Sequence, residues 1–230
     1  MKSILDLAIK EVTKRYAPHT LILYGSHARN EATETSDIDI ACFWDRSEAH
    51  KESWLLHGTF LDIWIYPTAF FDSIPDEALR FGDGKVIFEK RGLGTDYINR
   101  VKKKLVKGKE PMSKVDKLHL RNWVVKMLER IREGNLDSNY RRTWLQYELL
   151  ELYFEVRGIW YLGSKKSFSH LKQNDWDVYN LFAQVYQNPL DLDLLYMLAK
   201  KVICIEYRNY ELRSSTTSPE NKNLHSINCK

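Results

Sequence analysis

The stretch Leu21-Ile22-Leu23-Tyr24-Gly25-Ser26-His27-Ala28-Arg29, followed after a polar interval by Ser36-Asp37-Ile38-Asp39-Ile40, decides the reading of the fold. Its first four residues form an apolar run closed by a glycine, the pattern of a buried strand opening into a tight turn. His27-Ala28-Arg29 then has the length of one helical turn. From Asp37 to Trp44 polarity alternates, with Ile38, Ile40 and Cys42 on one face and Asp37, Asp39 and Ala41 on the other. Phe60 to Tyr66 repeats the alternation, setting Leu61, Ile63 and Ile65 against Asp62 and Trp64. Two strands therefore each present acid on the face turned away from their apolar residues.

Acids so placed suit a hard cation. Magnesium takes oxygen ligands in a tight octahedron, and carboxylates on a rigid element serve it best. Asp37 and Asp39 lie two residues apart on one strand, roughly 7 Å given the strand rise, a spacing able to share two metals about 3.5–4 Å apart. Asp62 closes the cluster if its strand is a neighbour, and three carboxylates facing together repel one another without a cation. Upstream, Gly25 lets the backbone approach an anion closely, the amides of a helix start point toward it, and Ser26 adds a hydroxyl donor.

In this order, Gly25-Ser26-His27-Ala28-Arg29 with Ser36-Asp37-Ile38-Asp39 closely resembles the G-S-x-A-R … S-D-x-D signature of the DNA polymerase β-like nucleotidyltransferase superfamily. Gly58-Thr59-Phe60-Leu61-Asp62 resembles the strand that bears the family's third acid. The resemblance covers roughly residues 20 to 66. It implies that Gly25 and Ser26, with Arg29 and Ser36 beside them, contact a triphosphate, and that Asp37 and Asp39 hold two magnesium ions. Asp62 would bind the catalytic metal or activate the acceptor hydroxyl. The implied reaction is in-line attack of a hydroxyl on the α-phosphate with release of pyrophosphate. Arg29 has two readings, orienting the phosphate loop or pairing with an acid such as Asp37. His27 reads as a solvent-facing or loop-capping residue.

The remainder sorts into two parts. Ser3 and Asp6 have capping-box spacing ahead of a helix with Leu7, Ala8, Val12 and Tyr16 at helical intervals. Pro67, Pro75, Gly82, Gly84 and Gly92 punctuate a helix expected near 68 to 80, a turn and a short strand at Val86-Ile87-Phe88, before a basic helix over 95 to 107. Beyond Gly108 and Pro111 helical periodicity takes over. One helix follows a Ser113/Asp116 capping box and ends at Gly134, a long one runs from about Ser138 to Tyr161, shorter ones follow Ser167 and Asn174, and the last starts at Asn188-Pro189. The fold class expected is α+β: a small mixed-sheet nucleotidyltransferase domain over 1–110, an antiparallel bundle of about five helices over 111–213, and a disordered Ser/Thr/Asn-rich tail over 214–230.

The helical half is more loosely similar to the C-terminal bundle of kanamycin- and streptomycin/spectinomycin-type antibiotic nucleotidyltransferases. Arg157-Gly158-Ile159-Trp160-Tyr161 and then Ser164-Lys165-Lys166 look like that family's helix end and a Ser-Lys pair reaching the triphosphate. Lys165 and Lys166 read equally as solubilising loop residues. Glu148 and Glu151, set among Tyr147, Leu149, Leu150 and Leu152, are candidates for a general base or for a solvated helix face. Arg141-Arg142 and Lys102-Lys103-Lys104 read as solvated faces rather than as an RNA-binding surface.

Composition bounds these readings. A surplus of four basic residues fits phosphate binding without requiring a nucleic-acid partner, and 43% hydrophobic content is ample for real cores. Cys42, Cys204 and Cys229 are widely spaced and odd in number, which argues against a disulfide framework or zinc site. With Asp6 inside the first apolar stretch and no run of membrane-spanning length, a cytoplasmic protein is expected. The expected co-substrate is ATP or another nucleoside triphosphate, and the expected acceptor a small hydroxylated, aminoglycoside-like compound bound between the two domains. A homodimer completing that cleft is compatible with the sequence. One rival is a toxin or antitoxin nucleotidyltransferase modifying tRNA or a partner protein; another is a non-catalytic nucleotide-binding module.

Overall fold

The structure is a computed structural model that describes residues 3–45 and 48–203; the tail expected over 214–230, Cys204 and Cys229 lie outside the described residues. The chain divides into two compact units, Met1–Gly108 and Lys109–Lys230. A mixed sheet builds the first and helices the second, an α+β arrangement.

Helix α1 (Ile4–Tyr16) starts at a complete capping box. The Asp6 amide donates to the Ser3 hydroxyl and the Ser3 amide to the Asp6 carboxylate, each at 3.1 Å. Strand β1 (Thr20–Tyr24) runs into the single-turn helix α2 (Gly25–Arg29), and β2 (Ile38–Phe43), β3 (His50–Leu56), β4 (Thr59–Tyr66) and β5 (Lys85–Glu89) complete the sheet. Their order is β3-β4-β2-β1-β5, antiparallel throughout except for the parallel pair β2 and β4.

The alternation read from sequence is realised on both faces. Leu21, Leu23, Ile38, Ile40, Cys42, Leu61, Ile63 and Ile65 pack beneath Ala8, Val12 and Tyr16 of α1. On the opposite face Phe43, Tyr66, Phe70, Phe71, Phe81 and Tyr97 form an aromatic layer, with the Phe43 and Phe71 rings stacked 4.3 Å apart. The aromatic layer stops where the sheet carries its acids, so one face is core at one end and polar at the other.

Two expectations for this unit need correction. The helix expected near 68 to 80 is two short 3-10 helices, Thr68–Asp72 and Asp76–Phe81. Ser73 is extended between them (φ −132°, ψ 170°), and Pro75 has no amide with which to continue a helical ladder. Strand β3 had no counterpart in the sequence reading. A two-residue turn joins it to β4, with His57 at φ 47° and Gly58 at φ 86°, the left-handed pair that suits the twist of a hairpin. The basic helix α3 (Leu93–Lys107) follows β5.

The second unit contains α4 (Lys114–Ile131), α5 (Leu136–Val156), α6 (Ser164–Asn174), α7 (Trp176–Gln187) and α8 (Leu192–Ile203). Leu145, Leu149, Leu152 and Tyr153 line the buried side of α5 at helical spacing and meet Val124, Met127, Phe182, Leu195, Leu198 and Val202 in one core. Three starts differ from expectation. Ser167 lies one turn inside α6, and α7 is capped by the Asp175 carboxylate, which accepts from the Val178 amide, rather than by Asn174. Helix α8 begins after Asp191, whose carboxylate accepts from the Asp193 and Leu194 amides at 3.0 Å, so Asn188-Pro189 precede the helix.

Candidate active site

Strand β2 is central, and its start carries the acids. Asp39 stands opposite Tyr24 of β1 on one side and directly beside Asp62 of β4 on the other. Parallel neighbours in register place both carboxylates on the same face, about one strand spacing (~4.8 Å) apart at the backbone. Asp37 is exposed one step before β2, and Ser36 beside it closes the preceding turn by accepting from the Thr33 amide at 2.9 Å.

Gly25 is fixed here by two constraints. Its φ of +71° is left-handed, and a Cβ at this position would lie 2.2 Å from Asp39 Oδ2. The Asp39 carboxylate thus occupies the space a side chain would fill. Gly25 opens α2 with the half-buried Ser26 next to it, and the helix anchors through buried Ala28 and ends at Asn30 in a left-handed conformation (φ 61°). Arg29 is held by Glu31 at 2.7 Å and Asp83 at 3.4 Å, so the acids it pairs with are those two rather than Asp37.

Burial, and then the charges of Asp62 and Asp37, raise the Asp39 carboxyl above the usual range; Lys51 and Arg80 pull the other way. Asp62 differs. Burial would raise it too, but hydrogen bonds from Lys51 and Ser53 outweigh that and leave it lowered. Lys51 Nζ lies 2.7 Å from Asp62 Oδ2, and the Ser53 hydroxyl donates to Oδ1.

The sequence reading missed Lys51, Ser53, Tyr24 and Arg80 as parts of this site. The guanidinium of Arg80 sits 4.8 Å from the Trp64 ring and 5.2 Å from that of Tyr24, and donates to the Tyr66 hydroxyl. Nothing local in Leu79-Arg80-Phe81 marks it. Lys51 and Ser53 were recoverable, because counting back through the His57-Gly58 turn places Ser53 opposite Asp62.

The donor set is all oxygen, and the repulsion felt by Asp39 is what a divalent cation would relieve, so these residues fit magnesium by chemistry. Among the described residues, no group of three or more His, Cys, Asp or Glu side chains forms a ready-made metal site.

Comparison with known proteins bears on this site. Residues 8–91, the stretch holding Gly25, Asp37, Asp39 and Asp62, match the family described as polymerase beta, nucleotidyltransferase. This segment is a polymerase β-like nucleotidyltransferase domain. A curated relative from Methanocaldococcus jannaschii, described as a candidate protein adenylyltransferase, is 50% identical to the chain over 40 residues, 17% of this chain and 41% of that protein's length. A solved nucleotidyltransferase-like protein from Exiguobacterium sibiricum aligns over 86% of this chain and 75% of its own, at 16% identity and a TM-score of 0.40.

The remaining candidates lie outside the nucleotidyltransferase domain, in the helical unit. Glu148 and Glu151 are half-buried on α5. The Glu151 carboxyl is raised by burial, then by Glu155 and Glu148, with Lys109 opposing. Lys165 is exposed and Lys166 half-buried in the first turn of α6. No helix among the described residues is long and apolar enough to cross a membrane.

Proposed function

We propose that the protein is a magnesium-dependent nucleotidyltransferase, moving AMP from ATP to an acceptor hydroxyl. The observation that carries this reading is the in-register pairing of Asp39 with Asp62 beneath the glycine turn at Gly25. Gly25 and Ser26 take the triphosphate, and Asp37, Asp39 and Asp62 would hold the magnesium ions. Bound there, magnesium would neutralise phosphate charge and stabilise the entering and leaving oxygens. The acceptor oxygen attacks the α-phosphorus, its proton passes to the Asp62 carboxylate, and the bond to the bridging oxygen breaks to release pyrophosphate. Arg29 and Ser36 keep the phosphate turn in shape through Glu31, Asp83 and Thr33.

The acceptor we propose is a small hydroxylated compound of the aminoglycoside kind. Support comes from the loose likeness of the helical half, which carries Lys165, Lys166, Glu148 and Glu151, to antibiotic nucleotidyltransferases. A protein hydroxyl is the second reading, favoured by the description of the archaeal relative.

The test incubates purified protein and magnesium with each α-labelled nucleoside triphosphate, and separately with an antibiotic panel, total tRNA and lysate proteins. Label should move from ATP to a small acceptor and vanish with Asp39→Asn. Label on protein alone selects the second reading. Undiminished transfer by Asp39→Asn sinks the mechanism.

A further inference from the structure

Both carboxylate oxygens of Asp62 are engaged from one neighbouring strand. In the β3–β4 ladder Ser53 stands directly opposite Asp62 and Lys51 opposite Trp64. Lys51 is therefore the diagonal neighbour of Asp62 on the same face, a distance that long side chains span. Its stem passes Trp64, with the ammonium 5.9 Å from the ring centre, and ends 2.7 Å from Asp62 Oδ2. Ser53 holds Oδ1. The Lys51 and Asp62 side chains keep 41% and 25% of their surface exposed, so the pair is accessible and cheap to open.

The charges nearby make this contact more than a strand-to-strand tie. Asp37, Asp39 and Asp62 carry three negative charges, and Lys51 and Arg80 supply the two cations whose influence reaches Asp39. Arg80 is held among aromatic rings, whereas Lys51 rests on a flexible stem at an exposed edge strand. An ammonium and a divalent cation repel each other and compete for the same lone pairs of Asp62.

We propose that Lys51 is a tethered counter-ion that holds Asp62 until a divalent cation competes for it, and that then yields the carboxylate. Lys51 is a positioning residue: it keeps the acids together against their mutual repulsion and sets how readily Asp62 is given up. The inference rests on the nucleotidyl-transfer reading of the site. A merely structural salt bridge would steady the hairpin without changing metal affinity.

The test titrates manganese alone, a paramagnetic substitute for magnesium, into the full chain and reads free ion by electron paramagnetic resonance. Lys51→Met should bind about five-fold more tightly than the unsubstituted protein, the scale of one exposed ion pair. Lys51→Arg should restore the weaker affinity, and the gain should vanish when Asp62→Asn is combined with Lys51→Met. If Lys51→Met fails to fold, Lys51→Gln gives the same reading with a polar side chain of similar length. Unchanged or weaker binding, or a gain that persists with Asp62→Asn, overturns the inference. Manganese binding that depends on Asp39 but ignores Lys51 removes this inference alone; no binding in any variant removes the site reading as well.

Discussion

Gly25 has little freedom to change. Alanine would need a strained left-handed backbone and would drive its methyl into the Asp39 carboxylate. Gly25→Ala is expected to lower kcat/KM about 100-fold, the effect of displacing a reacting group by about 1 Å. Steady-state kinetics beside a melting curve separate that loss from unfolding. Such residues were legible because their constraints are local: a glycine after an apolar run and two acids at strand spacing name themselves. Arg80 was not, since its place among Tyr24, Trp64 and Tyr66 is made by chain segments far apart in sequence.

His19, at the other end of the sheet, offers a pH test apart from chemistry. Its side chain is 5% exposed and bonded to Thr20 and Thr68 at 2.9 and 2.8 Å. Burial lowers its pKa, Asp45 opposes, and Arg91 and Lys90 add to the lowering. Between this lowered value and the unfolded value of about 6.5 the folded state binds fewer protons than the unfolded one. The contribution is therefore full above about 6.5 and lost as pH falls toward the folded pKa. Denaturant midpoints should drop between pH 7 and pH 5, and His19→Gln should flatten that slope.

Among elements, the β3–β4 hairpin joins stability to the site, because its register puts Ser53 and Lys51 on Asp62. Asparagine tolerates left-handed backbone better than histidine, so His57→Asn should stabilise the protein by about 0.5 kcal/mol. Gly58→Val should cost about 1–2 kcal/mol. Both are readable by urea denaturation. The strand itself escaped the sequence reading because an edge strand with His50, Lys51 and Glu52 buries too little to show a clear apolar alternation. Strand order was equally hidden, since nothing local says that β2 pairs with β4 in parallel.

At the scale of the whole molecule, each unit has its own core, and the second is built around α5. Leu149 is fully buried, and Leu149→Ala should cost about 2–5 kcal/mol. Guanidinium unfolding followed by far-ultraviolet dichroism would show it. The helices were legible from periodicity, and α4 also from its Ser113 cap, but the first residues of α7 and α8 were not: Asp175 and Asp191 won the caps because their carboxylates reach the next free amides.

The parallel bond between β2 and β4 has one further consequence. Because Asp39 and Asp62 are partners in a backbone ladder, their gap is gauged by main-chain hydrogen bonds and not by the size of the side chains beneath them. Substitutions among the apolar residues under α1 should therefore leave the Asp39–Asp62 gap of the candidate site unaltered. Lengthening either acid to glutamate has no such latitude, since the ladder cannot widen to admit the added carbon.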